Sequence, residues 1–305
     1  MNETDPAVPS KLTPLKVFEV DTQIFRLRFT PCGTVLCGAA MDSRVKRWRL
    51  IDPPAASSTD QEKPKAKKGD SGHLLEEMSA WEGFTGWVQA FAMHPTEGLA
   101  TAGDSFGSLR CADVRTEKPA DRWSVAAAHD GWIRALAHSH DGSHLFSGGR
   151  DGVLRRWDSN NGKPLGECRL EQDLYAIAVS PDGTRIAVAD ALSKVHLIDA
   201  ATFTRSSTFP VDEMFILSRM QEVGGIRALH FNKDGTRILA MGCKPASGGF
   251  VEASPRIIPI SVASSTSPAG SMRCHPPVRE ICDHRGHKSR WWEWESPVPR
   301  RQISS

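Results

Sequence analysis

Residues 121–163 read DRWSVAAAHDGWIRALAHSHDGSHLFSGGRDGVLRRWDSNNGK, and the fold is decided here. The central window, IRALAHSHDG at 133–142, alternates large apolar side chains with alanine and closes on Asp-Gly. A strand with apolar groups on one face and alanine on the other is buried on both sides. The closing glycine supplies the positive φ that a tight hairpin requires. HLFSGG (144–149) and VLRRWD (153–158) then give two more strands, and RWSVAAAH (122–129) gives one ahead of the window.

The window recurs four times: IFRLRFTPCG (24–33), VQAFAMHPTEG (88–98), LYAIAVSPDG (174–183) and IRALHFNKDG (226–235). The closing glycines, Gly33, Gly98, Gly142, Gly183 and Gly235, are spaced 65, 44, 41 and 52 residues apart. A period of about 40–45 residues is one four-stranded propeller blade. The two longer spacings contain insertions. Residues 52–73, rich in proline, serine and lysine, have almost nothing to bury and are expected to be a disordered surface loop. Residues 210–223, PVDEMFILSRMQEV, are amphipathic and are expected to form a short helix capping a rim. The expected fold is all-β: a β-propeller of four-stranded antiparallel blades, about five detectable, over residues 15–260.

Composition narrows the function classes. The 305 residues are 39% hydrophobic with a formal net charge of +2. No uncharged apolar stretch approaches the roughly 18 residues of a membrane span. MNETDPAVPSK at the start lacks the charged-then-apolar layout of a signal peptide. Seven cysteines, at 32, 37, 111, 168, 243, 274 and 282, are odd in number and scattered. They read as reduced thiols, which places the chain in the cytoplasm. So balanced a charge gives no general attraction to nucleic acid or an acidic membrane.

Residues 121–163 resemble a WD repeat, the unit of one β-propeller family. Trp157-Asp158 closes the third strand, Asp151 lies six residues before the tryptophan, and His129 stands at the histidine of the family's Gly-His pair. The resemblance implies that His129, Ser147, Asp151 and Trp157 form a structural tetrad across the blade. Ser, His and Asp together also suit a hydrolase, but no G-x-S-x-G elbow accompanies them. The first unit keeps a partial tetrad, Asp42 and Trp48. The second places Phe84, Phe106 and Ala112 at the histidine, aspartate and tryptophan positions; the fourth places Leu192 and Ile198 at the last two. Such apolar groups are expected to fill the same space. The family most often closes with seven blades, so five units make either a closed five-blade ring or a truncated seven-blade one. Residues 15–20, LKVFEV, could supply an outer strand that seals a ring, whereas an open arc would invite homo-oligomerisation.

The resemblance further implies a non-catalytic scaffold for protein–protein interaction, with no cofactor. Partner-binding candidates lie at the starts of the innermost strands: Trp87, Trp132, Arg134, Tyr175 and Arg227, with Arg150 beside the turn Asp151. Aromatic residues and arginine are the usual hot-spot types. Trp132 and Tyr175 could equally pack between blades. Two alternatives stay open. A propeller enzyme or metal-binding protein could use the tail from 261 to 305, where Cys274, His275, Cys282, His284 and His287 gather. Their spacing does not match paired zinc ligands, so no metal is assigned and the tail reads as a disordered basic segment. Weak nucleic-acid binding could use Lys63, Lys65, Lys67 and Lys68 together with that tail.

Overall fold

The computed structural model describes residues 19–51, 75–218, 221–245, 251–260, 281–282 and 288–289. The insertion at 52–73, residues 15–18 of the sealing strand and the side chains of the Cys/His tail lie outside the described residues.

Among the described residues twenty strands make five four-stranded sheets, with neighbouring strands in each sheet antiparallel. The first blade holds β1 (Ile24–Phe29), β2 (Val35–Ala40), β3 (Val45–Leu50) and β4 (Leu75–Trp81). The second holds β5 (Val88–Met93), β6 (Leu99–Asp104), β7 (Leu109–Asp113) and β8 (Asp121–Val125). The third holds β9 (Ile133–His138), β10 (His144–Gly149), β11 (Val153–Asp158) and β12 (Pro164–Arg169). The fourth holds β13 (Leu174–Val179), β14 (Arg185–Asp190), β15 (Lys194–Asp199) and β16 (Thr204–Pro210). The fifth holds β17 (Phe215–Ser218), β18 (Gln221–Phe231), β19 (Arg237–Pro245) and β20 (Val251–Pro259).

Register explains how the blades stack. Leu27, Phe91, Leu136, Ile177 and Leu229 pair with Gly38, Ala102, Ser147, Val188 and Ala240. The next pairs in each ladder point the other way, so every blade offers one face backward and one forward. Small residues set the spacing: a Cβ on Gly103 would lie 2.7 Å from Ile133 of the following blade. Buried clusters join blade one to two through Cys37 and Phe91, and two to three through Leu109 and Ile133. Others join three to four through Phe146 and Leu174, and four to five through Val195 and Leu229.

Among the described residues no buried cluster and no hydrogen-bonded strand pair joins blade five to blade one, so hydrogen bonds between these residues do not close a ring. The outer faces agree. Phe91 is 1% exposed, whereas Leu27, at its position in blade one, is 48% exposed and Phe29 53%. On blade five Met241 is 45% exposed, whereas Ala189, its counterpart in blade four, is fully buried.

The helix expected at 210–223 is a single 3₁₀ turn, Asp212–Met214, followed by strand β17. Met214 anchors the turn in the junction of blades four and five. The backbone of the overlong β18 finds its partners in β17, which explains why the chain extends here rather than coiling. By contacts the chain splits into two units, Met1–Ser261 and Val262–Ser305. The second includes a two-residue ladder between β21 (Ile281–Cys282) and β22 (Lys288–Ser289).

Candidate protein-interaction rim

The third blade is locked by a chain of side-chain hydrogen bonds. His129 Nδ1 lies 2.9 Å from Asp151 Oδ1, and His129 Nε2 lies 2.7 Å from Ser147 Oγ. Trp157 Nε1 donates to the same Oγ at 2.8 Å. One neutral tautomer satisfies all three: Nδ1–H donates to the carboxylate and Ser147 O–H donates to Nε2. Burial pushes the His129 pKa down, opposed by the Asp151 carboxylate. Burial alone would raise Asp151, but bonds from His129 and Arg155 outweigh it and hold the carboxyl well below the usual carboxylate range. The order Ser–His–Asp is that of a hydrolase, yet Ser147 is completely buried and already accepts the indole N–H. A substrate carbonyl has no path to it.

The other blades solve the same turn differently. In blade one Asp42 Oδ2 lies 3.7 Å from Lys46 Nζ, while Oδ1 is buried without a partner. Gly38 occupies the position of Ser147, so Trp48 packs on that glycine and meets no hydroxyl there. In blade two Phe84 is buried edge-on against Trp81, but Phe106 is 69% exposed and fills nothing. Asp104 does the work instead: Oδ1 accepts the N–H groups of Phe106 and Ser108, and Oδ2 accepts the hydroxyls of Ser108 and Thr85. In blade four Asp190 accepts from Leu192 and Lys194 N–H and meets His196 Nε2 at 3.1 Å. Both aspartates sit two residues before the position where the repeat pattern seeks one. The pairs Gly103-Asp104 and Ala189-Asp190, ending the second strand before a turn, were the available signal.

Five of the six partner-binding candidates come together. The Trp87 and Trp132 rings meet edge to face at 5.5 Å. The Arg134 guanidinium lies 4.9 Å from the Trp132 ring centre and 4.6 Å from that of Tyr175. Arg227 lies over the other side of the series, 4.2 Å from the Tyr175 centre. A ladder of three rings and two cations, Trp87, Trp132, Arg134, Tyr175 and Arg227 in order, therefore crosses the inner ends of blades two to five. Asp173 pairs with Arg134 at 3.5 Å and fixes its plane. Trp87 is 40% exposed, and Trp132 and Tyr175 are half-buried, so the ladder both packs and presents surface. Arg150 is exposed and stands beside it at Gly131, its backbone N–H bonded to Trp132 O.

Residues 123–158 match the family model described as WD domain, G-beta repeat. The third blade is similar to a WD repeat. The chain's relatives include Small ribosomal subunit protein RACK1y of Oryza sativa subsp. japonica, 30% identical over 34% of this chain and 30% of the relative. Small ribosomal subunit protein RACK1 of Schizosaccharomyces pombe is 29% identical over 37% of this chain and 35% of the relative. Small ribosomal subunit protein RACK1z of Arabidopsis thaliana is 39% identical over 19% and 18%. The chain thus aligns with about a third or less of these relatives' own length.

One further polar site lies at the contact of blades two and three. His138 meets Ser159 Oγ at 3.2 Å through Nδ1, and its ring centre lies 5.4 Å from that of His94. Burial, with His94 beside it, pushes the His138 pKa down to about 3. Among the described residues no group of three His, Cys, Asp or Glu side chains is placed to hold a metal ion. Cys37 and Cys111 are buried, and burial raises both thiols, to about 12 and about 11.

Proposed function

We propose that the chain is a non-catalytic, cytoplasmic interaction scaffold whose docking surface is the Trp87–Trp132–Arg134–Tyr175–Arg227 ladder with Arg150 beside it. The observation that carries this reading is the continuity of the ladder across four blades. Aromatic and arginine side chains held in fixed planes lose little conformational entropy when a partner covers them. The rigid blades beneath it keep that plane in place. The WD-repeat match and the small-ribosomal-subunit relatives support the same reading. The partner is a protein, and the relatives' names make the small ribosomal subunit the first surface to test.

The double variant Trp132→Ala/Arg150→Ala is expected to lose capture of the partner in a pull-down while still folding. Losing the ring contact of half-buried Trp132 costs roughly 0.5–1.5 kcal/mol beyond the area it buries, a loss that lowers Tm without unfolding the domain. A collapse of Tm, or undiminished capture, would sink the docking assignment. A second reading, self-association, is favoured by one observation: Leu27, Phe29, Met241 and Ile257 are exposed on the free faces of the end blades.

A further inference from the structure

We infer that the axial cavity beneath the rim ladder binds a compact polyanion of phosphoryl or carboxylate type. The cavity, about 410 Å³, is lined by Phe25, Arg26, Gln89, Arg134, Tyr175 and Arg227, contributed by the innermost strands of all five blades. A second cavity along the same strands adds Arg28 and shares Arg26 and Arg227. Four arginines therefore converge from β1, β9 and β18, and no Asp or Glu among the described residues lines either cavity. Three arginines of the same sign around one space repel each other and attract a counter-anion.

The hydrogen-bond pattern is open in the same place. Among the described residues Arg26 reaches two carbonyl oxygens, Arg134 O and Tyr175 O, each at a long 3.4 Å. No carboxylate pairs with it among the described residues, although Arg134 has Asp173. Arg134 Nε and Gln89 Oε1 are both buried without partners. An oxyanion seated here accepts from Arg134 Nε–H, and turning the Gln89 amide over presents its N–H₂ to the same ligand. Guanidinium forks match the paired oxygens of phosphate and carboxylate, which fixes the ligand class. Burial, followed by repulsion from Arg28, lowers the Arg26 pKa, in keeping with a cation that lacks its partner. The site shares Arg134, Tyr175 and Arg227 with the proposed docking rim but does not depend on a protein partner.

The test is thermal unfolding of the full chain with pyrophosphate and with citrate, against sodium chloride at matched ionic strength. Saturable stabilisation is expected, about 5 °C when the probe reaches roughly 100 times its Kd. The tighter of the two probes identifies phosphoryl or carboxylate as the preferred group. Arg26→Gln is expected to abolish the shift while its anion-free Tm stays at or above that of the parent, because a repelling cation is gone. Arg227→Gln, at an exposed position, repeats the test where folding is not at stake. No shift, a shift equalled by sodium chloride, or a shift kept in both variants overturns the site. A pull-down that fails with Trp132→Ala/Arg150→Ala bears only on the docking rim, since the probes here are small ions.

Discussion

Trp157→Ala is expected to lower unfolding stability by about 3–5 kcal/mol, the range for a large buried side chain truncated in a packed core. Trp157 is 4% exposed and fills the junction of blades two and three with Leu109, Ile133 and Leu145. Its removal opens a void in one of four junctions and also leaves Ser147 Oγ without its indole donor. A domain of this kind has only about 5–15 kcal/mol in total, so a substantial unfolded fraction follows. Ser147→Ala is a finer probe. It keeps the packing but leaves two buried nitrogens, Trp157 Nε1 and His129 Nε2, without their partner, at about 1–3 kcal/mol. Urea unfolding of both variants checks the pair. Equal losses would mean that the hydrogen bonds, rather than the packing, hold the junction.

Acid is expected to destabilise the chain well above the pH at which carboxylates titrate. His138 and His129 both have folded pKa values below the ordinary histidine value, His138 at about 3. The unfolded chain therefore binds more protons than the folded one once pH drops below about 6.5. Stability from these groups is complete above that pH and is lost as pH falls toward the folded values. Each group contributes a slope of about 1.4 kcal/mol per pH unit within its window. From pH 7 to pH 5, His138 alone costs about 2 kcal/mol, and His129 adds to it in the same direction. His138→Gln, polar and without a titrating proton, is expected to flatten the profile by that share. The turn carboxylates Asp141 and Asp182, held at about 2 by hydroxyl and backbone bonds, join the loss only at much lower pH. Denaturant unfolding at pH 7, 6 and 5 decides the matter; a flat profile contradicts the buried, neutral state of both histidines.

Much of the fold was legible in the sequence because its determinants are local. The alternation of IRALAHSHDG and its repeats names both faces of the innermost strands, and the turn glycines mark the hairpins. The segment 210–223 was misread because amphipathicity counts residues and cannot see that β18 runs long and leaves backbone groups for β17 to pair. Asp104 and Asp190 carry no such mark, because both lie two residues off the spacing from the third-strand tryptophan that singles out Asp151. Physically, a carboxylate can reach the same turn N–H groups from either end of the turn. Phe106 was expected to fill a tetrad space and instead projects outward, since Asp104 and Ser108 already satisfy that turn. The rim candidates were legible one by one from residue type and position. That they stack ring on cation into one ladder depends on rotamers and blade spacing, which no one-dimensional pattern records. The axial cavity is a property of five strands converging, and likewise has no sequence signature.

An arc with two uncovered end blades is tested most directly by light scattering on the purified chain across a concentration series. Leu27 and Phe29 on blade one, and Met241 and Ile257 on blade five, occupy outward faces that the inner blades cover with a neighbour. These are the two unlike halves of a blade junction, so copies are expected to join head to tail. The mass should rise above 33.4 kDa with concentration. Leu27→Glu/Phe29→Glu and Met241→Glu/Ile257→Glu should each return it to monomer, and an equimolar mixture of the two should form a dimer and nothing larger. A mass of 33.4 kDa at every concentration would contradict an arc with two uncovered ends.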